Sequence, residues 1–135
     1  MSIGTILEYK TIAVVGISDD PERPSHYVAS FLETRGYNII PVNPNLQEWE
    51  GKKCYPDLRS IPVKVDVVDI FRRPEAVPPI VDEAIAIKAK VVWMQKGIIN
   101  EEAAAKAQGL GIEVVMDRCM KTEYKRLKGQ PSYIA

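Results

Sequence analysis

Five short apolar segments, separated by stretches of helical or loop character, constrain the fold of this chain more strongly than any other feature. Near-continuous apolar strands are typical of a parallel sheet that helices cover on both faces. The alternation therefore predicts one α/β domain over residues 1–135, built on a Rossmann-like, doubly wound parallel sheet of five strands. The predicted strands are TIAVVGI at 11–17, YNIIPVN at 37–43, KVDVVDIF at 64–71, KVVWMQ at 90–95 and IEVVMD at 112–117.

The connecting segments support more detailed expectations. Because crossovers between parallel strands are right-handed, few topologies remain, and we expect the strand order 3-2-1-4-5. Ser25 is the expected N-cap of a helix over 26–35, which Gly36 ends. The polar loop after the second strand is expected to hold a helical turn at 46–49 and an extended piece at 53–55. Further helices are expected at 3–9, 77–89, 101–111 and 119–129.

Composition excludes several classes of partner. The 18 basic and 18 acidic residues balance, so no global field attracts nucleic acid or an anionic membrane. No apolar run approaches the roughly 20 residues of a membrane span, and the N-terminal residues lack a signal-peptide layout. Cys54 and Cys119 lie far apart without a C-x-x-C motif, and His26 is the one histidine. We therefore expect a cytoplasmic protein without a metal site.

The loop after the first strand is the strongest candidate for a ligand site. In an open parallel sheet, ligands bind beyond the carboxyl ends of the strands, at the switch point beside the first strand. A glycine there permits a tight turn, and the following helix N-terminus suits a phosphate. An arginine and two hydroxyls add further donors. The candidate residues in this loop are Gly16, Ile17, Ser18, Pro21, Arg23 and Ser25.

The second strand argues against a nicotinamide cofactor. A dinucleotide site has an acidic residue near this point for the ribose hydroxyls, whereas this strand ends in Asn43 and Pro44. The loop after the first strand also lacks the two further glycines of the dinucleotide-binding fingerprint. Together these departures argue against NAD.

The third and fourth strands end in residues that suit a charged ligand with a ring. Phe71 offers a flat apolar face, and Arg72 and Arg73 place two cations at the same sheet edge as the first loop. After the fourth strand, Gln95 offers a hydrogen-bonding amide and Gly97 permits close approach of a ligand. The convergence of these residues favours an anion site.

No arrangement of residues predicts catalysis. His26 lies early in a helix, where a histidine is usually a surface or packing residue, and no Ser-His-Asp set is evident. A phosphoacceptor receiver requires an exposed aspartate at the end of the third strand, but Asp69 is followed by Ile70 and Phe71. Cys119 is expected to be a small buried thiol. We therefore predict a binding protein that is not an enzyme.

Five motifs in register give the chain a resemblance to a known family. The segments VVGISDDPERPS, VNPN, DVVDIFRRPEAVP, VWMQKGI and VVMDRCMKTE resemble those of the stand-alone CoA-binding proteins. These are Rossmann-like domains similar to the nucleotide-binding part of the succinyl-CoA synthetase α subunit. The resemblance runs from about residue 12 to residue 126. It implies that residues 1–135 form one CoA-binding domain with CoA as its cofactor.

The resemblance also implies a role for each site residue. The loop matches the family pattern G-x-S-x-x-P-x-R-x-S at residues 16–25 and would cradle the CoA diphosphate. Asn43 and Pro44 would border the adenosine, and residues 71–73 would flank the adenine and its phosphates. Gln95 and Gly97 would face the pantetheine arm.

Three functional hypotheses follow. The first is a non-catalytic module that binds CoA or an acyl-CoA as a carrier, sensor or subunit, alone, as a homo-oligomer or with a partner enzyme. The second is an enzyme or redox protein that uses bound CoA, with Cys119 as a reactive thiol. The third is a regulatory domain that binds NAD or NADP.

Overall fold

The computed structural model describes residues 2–129, which form a five-stranded parallel sheet with helices on both faces. This architecture confirms the predicted α/β, Rossmann-like fold. The strands are β1 Thr11–Val15, β2 Asn38–Val42, β3 Glu48–Trp49, β4 Lys52–Lys53, β5 Val67–Ile70, β6 Val91–Met94 and β7 Glu113–Val115. The α-helices are α1 Ile3–Ile6, α2 Pro24–Thr34, α3 Val77–Ala86, α4 Glu101–Gly109 and α5 Met120–Tyr124, and shorter 3₁₀ or π turns lie at Leu58–Ser60, Pro74–Ala76 and Lys125–Gly129.

The strand order differs from the expected one. The sheet runs β2-β1-β5-β6-β7, which is 2-1-3-4-5 when its five strands are counted along the chain, so the prediction of 3-2-1-4-5 was wrong. The outer edge of β2 is already used by the segment that follows it. The Tyr55 N–H donates to the Pro41 carbonyl at 2.9 Å, and the Asn43 N–H donates to the Tyr55 carbonyl at 2.9 Å. The next strand therefore pairs on the other side of β1, and the switch point lies between β1 and β5.

The loop after β2 forms a hairpin where a helical turn was expected at 46–49. Strands β3 and β4 pair antiparallel around Glu50 and Gly51, whose φ angles are +50° and +78°. Two central residues with positive φ suit the twist of a tight two-residue hairpin. The expected extended piece at 53–55 is confirmed by the parallel bridge between Val42 and Tyr55.

Helix α2 begins one residue before the predicted N-cap. Arg23 is the N-cap and Pro24 is the first helical residue, so the prediction of Ser25 as N-cap was wrong. Proline suits this position because its φ is preset and the N–H it lacks has no partner within the helix. Ser25 is consequently the second helical residue, and its side chain is buried. Gly36, at φ +91°, ends the helix as predicted.

Two apolar cores lie on the two faces of the sheet. Helices α3 and α4 cover one face, and α1, α2 and α5 cover the other. Residues of α2 and α5, on the second face, contribute to the cleft described below. Within residues 2–129, no helix is long and apolar enough to cross a membrane.

Candidate functional site

A cleft of about 850 Å³ lies at the carboxyl ends of β1, β5 and β6, beside the switch point. Gly16, Phe71 and Gln95, which follow these three strands, contribute to it from the sheet. The beginning of α2 and residues of α5 contribute from above. Nine of the thirteen predicted site residues line this cleft: Gly16, Ser18, Arg23, Ser25, Phe71, Arg72, Arg73, Gln95 and Gly97.

The other four predicted residues do not line the cleft. The Ile17 side chain is buried beneath the loop, and Pro21 is exposed at its outer turn. The Asn43 side-chain amide donates to the Ile17 carbonyl at 2.8 Å, which places Asn43 behind the loop. Pro44 lies in a separate groove beside Cys54. The proposed contacts of these residues with a ligand remain predictions.

The cleft is strongly cationic, although the charges of the whole chain balance. No Asp or Glu among the described residues lines it. Within residues 2–129, Arg73 alone of its cations has a carboxylate partner, Glu75, in an exposed pair at 3.7 Å. Such an exposed pair contributes little free energy, so Arg73 remains available to an anion. Sequence reasoning identified the three arginines and missed the three lysines, two of which reach the cleft only through the packing of α5. The six cations are Arg23, Arg72, Arg73, Lys96, Lys121 and Lys125.

Gly16 is required by its surroundings. Its φ is +87°, a conformation that residues with a Cβ rarely adopt. A Cβ at this position would lie 2.5 Å from the Phe71 carbonyl oxygen and 2.8 Å from Arg72 Cδ. The glycine therefore allows the loop after β1 to pass closely over the end of β5.

The loop presents several backbone donors without acceptors. Within residues 2–129, the N–H groups of Ile17, Ser18, Asp19 and Ser25 donate no hydrogen bond to the protein. The Ser18 hydroxyl accepts the Asp20 N–H at 2.9 Å, which leaves its own hydrogen free. Successive free N–H groups next to a helix N-terminus form a concave anion site.

His26 and Trp49 lie behind this loop. His26 Nδ1 is 2.9 Å from the Ser18 carbonyl oxygen, and Trp49 Nε1 donates to the same oxygen at 2.9 Å. His26 is buried, in agreement with the expectation of a packing residue. Sequence reasoning gave no sign of its link to the loop, because Trp49 reaches it through a hairpin that was not predicted.

The two cysteines differ in their access to the cleft. Cys119 is partly buried and lines the cleft as the residue preceding α5, which corrects the expectation of a buried thiol. Cys54 is buried, its Sγ donates to the Asn43 carbonyl at 3.6 Å, and burial raises its pKa. A raised pKa leaves less thiolate, so Cys54 is the less reactive thiol.

In the cleft wall, the Gln95 amide oxygen accepts the Met120 N–H at 3.2 Å.

A buried carboxyl group lies beneath the cleft. Asp69 is paired in register with Val14 and Trp93, one strand position before Ile70. Its side chain is fully buried, and neither oxygen has a hydrogen-bond partner within residues 2–129. Burial raises the pKa of Asp69 well above the usual range, which favours the neutral acid. An exposed phosphoacceptor aspartate is therefore absent at this position.

Residues 10–125, most of the chain, match the family described as CoA binding domain. The chain belongs to this family. This CoA-binding domain is 43% identical over 115 residues to the uncharacterized protein YneT of Bacillus subtilis, covering 85% of both chains. It is also similar to a solved hypothetical protein from Pyrococcus horikoshii, with 43% identity, a TM-score of 0.89 and coverage of 94% and 92%.

The same CoA-binding domain resembles part of a larger enzyme. The dinucleotide-forming acetyl-coenzyme A synthetase 1 of Ca. Korarchaeum cryptofilum matches with 30% identity and a TM-score of 0.70. The match covers 78% of this chain and 25% of the synthetase chain. The resemblance to a succinyl-CoA synthetase-like CoA-binding domain is thereby confirmed. The synthetase activity belongs to a chain that this domain spans only in part.

Proposed function

We propose that this protein binds CoA or an acyl-CoA in the cleft as a non-catalytic module: a carrier, a sensor or the subunit of a partner enzyme or homo-oligomer. The observation that carries this proposal is the charge of the cleft, which six cations and no carboxylate among the described residues line. CoA combines a diphosphate, a 3′-phosphate, an adenine ring and a neutral arm. Its phosphates match the cations, and its neutral arm matches the uncharged part of the wall.

The parts of CoA can be assigned to the parts of the cleft. The diphosphate would meet the free N–H groups of the loop, the Ser18 and Ser25 hydroxyls and the Arg23 guanidinium. Phe71 would lie against the adenine, with Arg72 and Arg73 near the phosphates. The pantetheine arm would pass Gln95 and Gly97. Asn43 and Pro44 remain assigned to the adenosine by family resemblance alone.

The absence of activity is proposed because the cleft lacks a paired nucleophile and base. His26 is buried behind the loop, and its Nδ1 already contacts the Ser18 carbonyl. Cys119 lines the cleft, but no histidine or carboxylate among the described residues lines it with the thiol. A general base must lie within hydrogen-bond reach of the group it activates.

Two measurements test the proposal. Native mass spectrometry of the purified protein is expected to show a co-purified species with the mass of CoA or an acyl-CoA. Calorimetric titration is expected to show binding of CoA and little binding of NAD or NADP. Tighter binding of NAD or NADP than of CoA would refute the proposal and support a nicotinamide-binding regulatory domain.

The position of Cys119 favours a second candidate function, a redox protein that forms a mixed disulfide with CoA. In this reaction the Cys119 thiolate attacks one sulfur of CoA disulfide. A bond forms between Cys119 Sγ and that CoA sulfur, the original S–S bond breaks, and the other CoA leaves as a thiolate. Alkylation of Cys119 across a pH series, with and without CoA, measures whether its pKa supports this reaction.

A further inference from the structure

We infer that His26, Trp49 and Asn43 are positioning residues that turn two successive peptide groups of the loop so that the Ser18 and Asp19 N–H groups can bind phosphate. The identity of the ligand rests on the proposed function. The inference itself concerns how the loop is held, and none of these three side chains needs to touch the ligand.

Two successive carbonyl groups of the loop accept hydrogen bonds from side chains outside the loop. The Asn43 amide donates to the Ile17 carbonyl at 2.8 Å. The Ser18 carbonyl is contacted by His26 Nδ1 and by Trp49 Nε1, each at 2.9 Å. Each carbonyl is therefore directed toward the side chains that contact it.

The direction of these carbonyls determines the direction of the next N–H groups. In a planar trans peptide the C=O and N–H bonds point in opposite directions. The Ile17 carbonyl shares its peptide with the Ser18 N–H, and the Ser18 carbonyl shares its peptide with the Asp19 N–H. Neither N–H has an acceptor in the described part of the chain, and both point away from the side chains that hold the carbonyls.

The chemistry at the Ser18 carbonyl specifies the role of His26. A carbonyl oxygen has two lone pairs and can accept two hydrogen bonds. The indole N–H of Trp49 is a donor only, and it lies 2.9 Å from this oxygen and 3.2 Å from His26 Nδ1. His26 is the second donor to the oxygen in the tautomer that carries its hydrogen on Nδ1. The other ring nitrogen, Nε2, lies 3.4 Å from Glu50 Oε2. His26 thus contacts the loop through one nitrogen and the hairpin turn through the other.

Burial makes this arrangement rigid. His26 is 6% exposed and Trp49 is 2% exposed. Their rings also pack against each other, with centroids 5.1 Å apart. Because water cannot take the place of a lost donor at this buried position, removing one donor leaves the Ser18 carbonyl less firmly oriented.

Two histidine variants separate the donor role from general packing. In His26→Asn the side-chain amide nitrogen replaces Nδ1, so it keeps a donor for the Ser18 carbonyl. In His26→Gln the amide nitrogen reaches the position of Nε2, so this donor is lost. Trp49→Phe removes the indole N–H and keeps an aromatic ring, and it provides an independent variant should His26→Gln fail to fold.

The experiment has three measurements. Calorimetry gives the CoA affinity, and thermal melting gives the stability of each variant. The chemical shifts of the Ser18 and Asp19 amide protons are followed on addition of CoA or inorganic pyrophosphate. We expect both amide protons of the parent to move downfield. We expect His26→Gln and Trp49→Phe to bind CoA about ten-fold more weakly, a loss that corresponds to about one hydrogen bond. We expect the affinity of His26→Asn to stay within about two-fold of the parent's, because this variant keeps the donor.

Several results would overturn the inference. Equal affinity of all variants and the parent would show that the carbonyl contacts do not matter for binding. An equal loss in His26→Asn and His26→Gln would assign the effect to packing. If CoA does not bind the parent but pyrophosphate still moves both amides, the proposed function fails and the inference about the loop stands. If calorimetry shows CoA binding to the parent but neither ligand moves these amides, the inference fails and the proposed function stands.

Discussion

Replacing Arg23 with alanine tests the anion site most directly. Arg23 is exposed at the start of α2, lines the cleft and makes no side-chain hydrogen bond as N-cap. No carboxylate among the described residues forms an ion pair with it, so Arg23→Ala removes little that stabilises the folded protein. We expect the free energy of unfolding to change by no more than about 0.5 kcal/mol.

The loss of binding follows from the same geometry. A hydrogen bond between a guanidinium and a phosphate contributes about 1.5–3 kcal/mol. Five other cations remain in the cleft, and we therefore expect a loss in the lower half of this range. A loss of 1.5 kcal/mol corresponds to a roughly ten-fold increase in Kd.

Calorimetric titration with CoA at two salt concentrations measures this effect, beside thermal melting. The affinity of the parent is expected to fall as salt rises, and that of Arg23→Ala to fall less steeply. Arg59→Ala is the matched control, because Arg59 is exposed in a 3₁₀ turn and does not line the cleft. If Arg23→Ala binds CoA as tightly as Arg59→Ala does, the loop is a turn without a ligand-binding role, and our assignment is wrong.

Four further predictions address the backbone, the ligand, the buried acid and the thiol. Gly16→Ala should lower the free energy of unfolding by at least about 2 kcal/mol, whereas Gly36→Ala, with similar φ and no atom within 4 Å of its Cβ, should lose only about 1 kcal/mol in urea unfolding. CoA should bind more tightly than dephospho-CoA in calorimetry, because its 3′-phosphate would give the arginines of the cleft a further anion to contact; equal affinities would refute this contact. The pKa of Asp69 is raised on folding, so its contribution to stability is complete below the unfolded pKa of about 4 and is lost as pH rises towards the folded value. In urea unfolding, the stability of Asp69→Asn should therefore fall less with rising pH than that of the parent. Oxidation with CoA disulfide should add the mass of one CoA at Cys119 and none at Cys54, and an unchanged mass would exclude the mixed disulfide.

The fold class and the position of the cleft were predictable because both depend on local patterns. Apolar β-branched runs predict the strands, and the carboxyl ends of parallel strands necessarily share one edge. Gly16, Phe71 and Gln95 each follow a strand directly, and they lie together in the cleft for that reason. The boundary of α2 was less predictable, because two adjacent residues give different signals. Ser25 suits the N-cap, whereas Pro24 suits the first helical position, and the helix begins at Pro24.

Two of the three lysines of the cleft and the residues behind the loop were not predictable, because they depend on tertiary packing. Lys121 and Lys125 line the cleft only because α5 packs over the same face of the sheet as α2. A basic residue in a short terminal helix carries no signal of its own. Exposed lysines are also the ordinary choice on a solvated surface.

The wrong strand order and the missed contacts of Ser18 have a common structural cause. After β2 the chain turns back along its outer edge, where Tyr55 bonds with the β2 backbone and prevents a third strand from pairing there. The same excursion contains the hairpin that places Trp49 against the Ser18 carbonyl and Glu50 beside His26. A strand paired on that edge would remove both the hairpin and the support of the loop. The topology of this sheet and the orientation of its proposed phosphate donors are therefore linked through one segment, residues 43–55.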